Sequence, residues 1–236
     1  MSDCIYLADA RYYEEICAAF GRNRTILPSV RHPELCAPVC FHPDMMLCPM
    51  GKGVVVCAPE VFETYQKILS PFGINLVQGE KELKGSYPQD IAYNVLDTKK
   101  AIFSLAEKTE PTLLRLAEEQ HKSSVRVAQG YARCSALAFG EAVISADPSI
   151  LKAADVHGLT VLSVQPGHVL LPGYDYGFIG GASGVLENGQ IAFFGDLSHH
   201  PDGEAIRRFV KVQGFSAMEI SGRPLTDVGT ILRIDL

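Results

Sequence analysis

The sequence predicts an α/β fold, a propeller-like ring of five ββαβ blades closed by pairing of its N- and C-terminal strands. Three observations lead there. Short β-rich runs ending in a turn signal recur five times, at residues 4–9 (CIYLAD), 54–59 (VVVCAP), 101–106 (AIFSLA), 142–147 (AVISAD) and 191–196 (IAFFGD). They begin 50, 47, 41 and 49 residues apart, the self-similarity of a repeat architecture. The same order of elements follows each of them.

A helical segment comes next in every unit: 10–20, 61–69, 111–120, 148–156 and 203–212. Several open with Asp or Pro, as helix N-termini do. In the third, Leu113, Leu114, Leu116 and Ala117 make one apolar stripe. Gly21, Gly73, Gly158 and Gly214 suit left-handed C-caps. Another β run then follows, at 25–30, 74–78, 125–129, 160–164 and 217–221. A further run precedes each later unit, at 45–48, 90–95, 135–139 and 184–186, and one more lies at 229–234. Turn signals join these to the next run, and Asn188-Gly189 is the strongest hairpin signal in the chain. The fifth unit is split: the first strand of its hairpin is 229–234, and its second can only be 4–9. Pairing the two would remove both exposed sheet edges, those of the last strand and the first. A unit of about 47 residues is too small to hold a core alone, so residues 1–236 are expected to form a single domain.

Composition narrows the functions. Hydrophobic residues make up 47% and charged residues 20%, which fits a globular chain with a real core. No apolar run approaches the roughly 20 residues of a membrane span. The start, Met1-Ser2-Asp3-Cys4, lacks a basic region and an apolar stretch, so no secretory signal is expected. A net charge of −6 without a basic block argues against nucleic acid. Seven cysteines without a signal read as reduced cytoplasmic thiols. Cys36, Cys40, Cys48 and Cys57, with His32 and His42, lack the paired C-x2-C spacing of a metal site. No metal or cofactor is expected. The expected partner is a small polar molecule, with neither nucleic acid nor membrane, and a homodimer is compatible with this reading.

A ring of five such units resembles the pentein fold, the α/β-propeller of the guanidino-group-modifying enzymes. Tyr87-Pro88-Gln89-Asp90-Ile91 and the stretch from Gly173 to Gly184 (GYDYGFIGGASG) carry a further resemblance to a bacterial branch of that superfamily. The resemblance implies, for its hydrolases, a cysteine nucleophile near the start of the last unit's first strand. It also implies a histidine acid/base two units back, and carboxylates that hold the guanidinium. Here the first position falls at 228–230, with no cysteine, and the second around Tyr131, with no histidine. The expectation is therefore a protein of this fold that binds a polar amine or guanidino metabolite without the usual Cys/His pair. The alternative is a C–N hydrolase with Cys134 as a relocated nucleophile.

In such a ring, the segments 39–44, 85–94, 130–135, 173–184 and 222–229 meet at one mouth. Cys134 lies there, and its neighbour Arg133 could raise its thiolate fraction. His199 or His200 could supply an acid/base. Strand alternation puts Asp90 and Asn94 on one face, to bind a cation and to hydrogen-bond it. Tyr87, Tyr131, Tyr174 and Tyr176 offer aromatic walls with phenol handles. Gly180, Gly181 and Ser183 belong to a glycine-dense loop whose N–H groups could cradle a carboxylate. Asp227 completes the expected ligand contacts.

Overall fold

The computed structural model describes residues 4–236. Five three-stranded sheets account for all of its strands among the described residues. The first unit contributes β1 (Cys4–Ala8), α1 (Tyr13–Phe20) and β2 (Ile26–Pro28). A short helical turn, α2 (Pro43–Met46), leads into β3 (Leu47–Pro49), β4 (Val54–Cys57), α3 (Phe62–Leu69) and β5 (Asn75–Gln78). The third unit is β6 (Leu96–Asp97), β7 (Ala101–Ser104), α4 (Pro111–Glu119) and β8 (Ser123–Arg126). The fourth begins with another helical turn, α5 (Ala132–Ser135), then β9 (Ala136–Phe139), β10 (Ala142–Ser145), α6 (Pro148–Val156) and β11 (Thr160–Ser163). The fifth is β12 (Ser183–Val185), β13 (Gln190–Phe193), α7 (Gly203–Val212) and β14 (Ser216–Glu219). The last strand, β15 (Leu232–Asp235), pairs antiparallel with β1, Ile5 opposite Ile234, and β2 lies parallel on the other side of β1. Each remaining sheet has the same pattern, an antiparallel first pair and a parallel second pair.

Local chemistry explains why the elements recur. Every long helix presses an i, i+4 apolar pair on its sheet: Ile16 and Phe20, Tyr65 and Leu69, Leu113 and Ala117, Ile150 and Ala154, Ile206 and Val210, all buried. Pro111 and Pro148 open α4 and α6, where a missing N–H costs nothing, and Glu110 and Asp147 accept the free N–H groups behind them. Gly21, Gly73, Gly158 and Gly214 end helical segments at positive φ. Asn188 and Gly189, at φ 64° and 70°, give the hairpin twist that two-residue turns need.

The first strands are where expectation and structure part. The run expected at 90–95 is irregular, and β6 comes only at Leu96–Asp97. Asp90 and Asn94 thus do not share a strand face. The runs expected at 45–48 and 229–234 also begin late, behind α2 and behind a loop. Among the described residues, no helix is long and apolar enough to cross a membrane.

Apolar packing crosses from unit to unit. One cluster joins β9 and β10 to β13 and α7, and another joins β1 and α1 to β13. Truncating an inner helix residue should therefore act on the whole molecule. Leu113→Ala is expected to cost about 2–5 kcal/mol in chemical denaturation, whereas Val212→Ala, on the exposed side of α7, should stay within about 0.5 kcal/mol.

Candidate functional site

The starts of the five first strands meet in a belt of hydrogen bonds, centred on a buried carboxylate. Asp44, in α2, accepts on Oδ2 from the Thr230 hydroxyl (2.7 Å) and the Cys134 thiol (3.1 Å). Asn94 Nδ2 donates to Cys134 Sγ (2.9 Å) and to Asp44 O (3.2 Å). Its Oδ1 accepts from the N–H groups of Arg133 (2.9 Å) and Cys134 (3.1 Å). Gly181 N–H donates to Cys134 O, and Thr230 N–H donates to Gly181 O. Each unit thus sends one member to the belt. Thr230 holds φ 64°, an uncommon conformation for a β-branched residue. Its hydroxyl and N–H bonds hold it there.

A cavity of about 220 Å³ opens on one side, lined by His42, Cys134 and Asp227 below and by Tyr131, Tyr174, Tyr176 and Phe178 as aromatic wall. The Asp227 carboxylate is fully buried and accepts only backbone N–H groups, from Phe178 (2.9 Å) and Gly229 (3.0 Å). Burial, and then the nearby Asp44, push its pKa up to about 7. His42 Nδ1 stands 3.8 Å from Asp227 Oδ1, and its Nε2 stands 3.8 Å from Asp9 Oδ2. Arg11 already neutralises Asp9 (2.6 Å). Burial, helped by the Arg11 charge, pushes His42 down to about 3, so its imidazole is neutral at pH 7 and leaves Nε2 without a hydrogen bond.

The structure gathers some of the expected residues and disperses others. Tyr131, Tyr174, Tyr176, Asp227 and Cys134 line this cavity. Tyr87 lies outside it, half-exposed, with its ring 5.6 Å from that of Tyr131. Asp90 does not line it either. It is buried behind Tyr131, whose phenol donates to its Oδ2 (2.8 Å), so it fixes the wall. Asn94 is buried in the belt. The histidines expected as acid/base do not reach Cys134. His199 is exposed against Gly222 O, and His200 packs on His168 in a separate cleft. The expected activation of Cys134 by Arg133 also fails. Burial, followed by the carboxylates Asp44 and Asp227, raises the thiol pKa well above its ordinary value. Arg133 lines a different cavity, as do Gly180 and Ser183.

The glycine-dense loop does cradle a carboxylate, but it is the protein's own. Phe178 N–H holds Asp227, while the N–H groups of Gly181, Ala182 and Ser183 are bonded within the chain. A Cβ on Gly181 would collide with the Asp227 carboxylate, and one on Gly180 with the carbonyls of Arg133, Cys134 and Ala136. His42 and Asp44 are the site residues that sequence reasoning missed, although the segment 39–44 pointed to their place. Among the described residues, no group of three His, Cys, Asp or Glu side chains is placed to hold a metal.

The fold has a known counterpart among solved structures. Over 99% of this chain and 98% of that one, the structure is similar to a dimethylarginine dimethylaminohydrolase crystallised as an adduct with S-methyl-L-thiocitrulline (TM-score 0.56, 10% identity). A partial likeness extends to inosamine-phosphate amidinotransferase of Streptomyces griseus (TM-score 0.32, 16% identity, 48% of this chain and 33% of that one). No curated protein matches the chain in sequence. The likeness to the hydrolase shows the pentein fold, in line with the resemblance drawn from the sequence. Within that class, the chain belongs to a family of unknown function, DUF6873, whose model matches residues 7–232.

Asp227 makes the site sensitive to pH. Burial raises its pKa on folding from the ordinary aspartate range near 3.8 to about 7, so between those values the folded chain holds a proton that the unfolded chain releases. Stability from this group is present below about 4 and is lost as pH rises to 7. Asp227→Asn removes the titrating group. Denaturation curves from pH 4 to 8 should show wild type losing up to a few kcal/mol relative to the variant. A constant difference across that range would contradict the assignment.

Proposed function

We propose that the chain is a single closed ring of five blades that binds a small organic cation of guanidinium or amine type beside Asp227. The ring reading is supported by the β15–β1 pairing and by a cavity lined by residues from β3, β6, β9, β12 and β15 together. One observation carries the binding reading. Asp227 is a fully buried carboxylate at an aromatic-walled cavity, and its partners are two backbone N–H groups and a neutral imidazole. No cation of the protein forms an ion pair with it among the described residues. A buried anion gains most from a cation that brings its own charge and N–H donors. Faces of Tyr131, Tyr174 and Tyr176 add cation–π attraction.

The hydrolase alternative rests on Cys134, whose thiol faces the same cavity. Attack on a guanidinium carbon needs a thiolate. With its proton directed at Asp44, its pKa raised, and no imidazole bonded to it, Cys134 is a belt member first. Binding without turnover is the reading these contacts favour.

Thermal shift and calorimetry against agmatine, arginine, methylarginines and neutral citrulline test this. The cations are expected to raise Tm and citrulline not to do so. Asp227→Asn should weaken cation binding more than about tenfold, and Cys134→Ser should retain it. Because the cation binds the ionised carboxylate, affinity should fall about tenfold per pH unit below 7 and level off above it. Equal shifts by citrulline, or full binding by Asp227→Asn, would overturn the proposal.

A further inference from the structure

A second, larger cavity carries charge of the opposite sign. Its volume is about 400 Å³, and the first strands of all five units line it. Four cations face it, Lys99, Lys122, Arg133 and Arg233, against two carboxylates, Asp97 and Asp235. The carboxylates are already engaged. Lys122 Nζ takes both oxygens of Asp97 (2.6 and 2.8 Å), and Arg233 Nε takes Asp235 (2.7 Å). Arg133 is left over. Its Nε is buried without a hydrogen bond, and its guanidinium makes no ion pair among the described residues. In a chain of net charge −6, this is a local excess of positive charge inside a lined chamber.

Arg133 is half-buried, and its Nε has lost water and gained nothing fixed in return. Its planar fork of donors matches an oxyanion, which can accept two parallel N–H bonds. Lys99, exposed and without an ion pair among the described residues, adds charge at the rim. We propose that this chamber binds a small oxyanion, of phosphate or carboxylate type, on the Arg133 guanidinium. The site is separate from the cation cavity. Arg133 does not line that cavity, and Asp227 does not line this one. The proposal stands whether or not the cation reading does.

The test is calorimetric titration of the full chain with sodium phosphate and, in parallel, sodium acetate, with sodium chloride holding ionic strength constant. One saturable site per chain is expected, with a rise in Tm that chloride does not give. Tighter phosphate points to a phosphate ligand, and tighter acetate to a carboxylate. Arg133→Met should weaken binding more than about tenfold, while Asp227→Asn, whose side chain does not line the chamber, should change it by only a small fraction of that. Arg133→Lys keeps a charge in the chamber but loses the fork, so it should fold and bind the anion more weakly than wild type. No binding beyond chloride would show that water alone satisfies the guanidinium, and would overturn the proposal. Wild-type affinity in either Arg133 variant would do the same.

Discussion

The buried Asp44 carboxylate is the point on which the five units depend. Each unit is three strands and a helix, and its apolar surface is completed only by a neighbour. Such units must be held in register where they converge. Asp44 does this by accepting from residues of two other units, Cys134 and Thr230, while Asn94 ties its backbone to a third. Taking a carboxylate out of water costs several kcal/mol, and hydrogen bonds recover it only when donors are correctly placed. The belt therefore favours the observed register of the units over any in which one unit has slipped. Asp44 Oδ1 has no partner among the described residues, so the compensation is incomplete. Burial raises the Asp44 pKa, and the Thr230 and Cys134 bonds only oppose that shift.

The cavity follows from the belt. Once Gly180 and Gly181 cross beneath Cys134 and Asp227, side chains have no room there, and the backbone N–H groups of Phe178 and Gly229 turn to Asp227. Gly229, at φ 68°, carries no Cβ where His42 packs. Glycine at these positions is thus a condition for seating a carboxylate and an imidazole side by side in the interior. The aromatic wall is then fixed from outside, by Asp90 through the phenol of Tyr131 and by the packing of Tyr176 on Phe178.

Much of the fold was legible in the sequence because its signals are local. Helix stripes repeat as i, i+4 pairs, helix ends carry Asp, Pro and Gly, and second strands are continuous apolar runs. The bounds of α6 and α7 follow from these alone. First strands were less legible. They are two to four residues long and buried, and helical turns precede β3 and β9. No alternation survives there to set a face, which is why Asp90 and Asn94 were misplaced. The site inherited the difficulty. Asp44 and His42 lie in the segment 39–44, which the sequence places at the mouth without assigning them a role, and only the approach of distant units gives them their chemistry. Likewise, the short turn at Ala132–Ser135 sends Cys134 to one cavity and Arg133 to the other.

That division of neighbouring residues has an electrostatic logic. Arg133 lowers the pKa of Asp44 from one side, whereas Asp44 raises those of Cys134 and Asp227 on the other. The belt thus lies between a chamber with excess positive charge and one whose carboxylate is half-protonated near pH 7. In a low-dielectric interior such charges act on each other across several ångströms. Whatever enters one chamber alters the potential in the other. A cation beside Asp227 would lower the pKa of that carboxylate and ease the repulsion that keeps the Cys134 thiol protonated. An anion on Arg133 would remove part of the field that favours the ionised form of Asp44. The two effects have opposite sign at Asp44 but both pass through it, so the residue at the centre of the belt is also the one through which the two chambers would be electrostatically coupled.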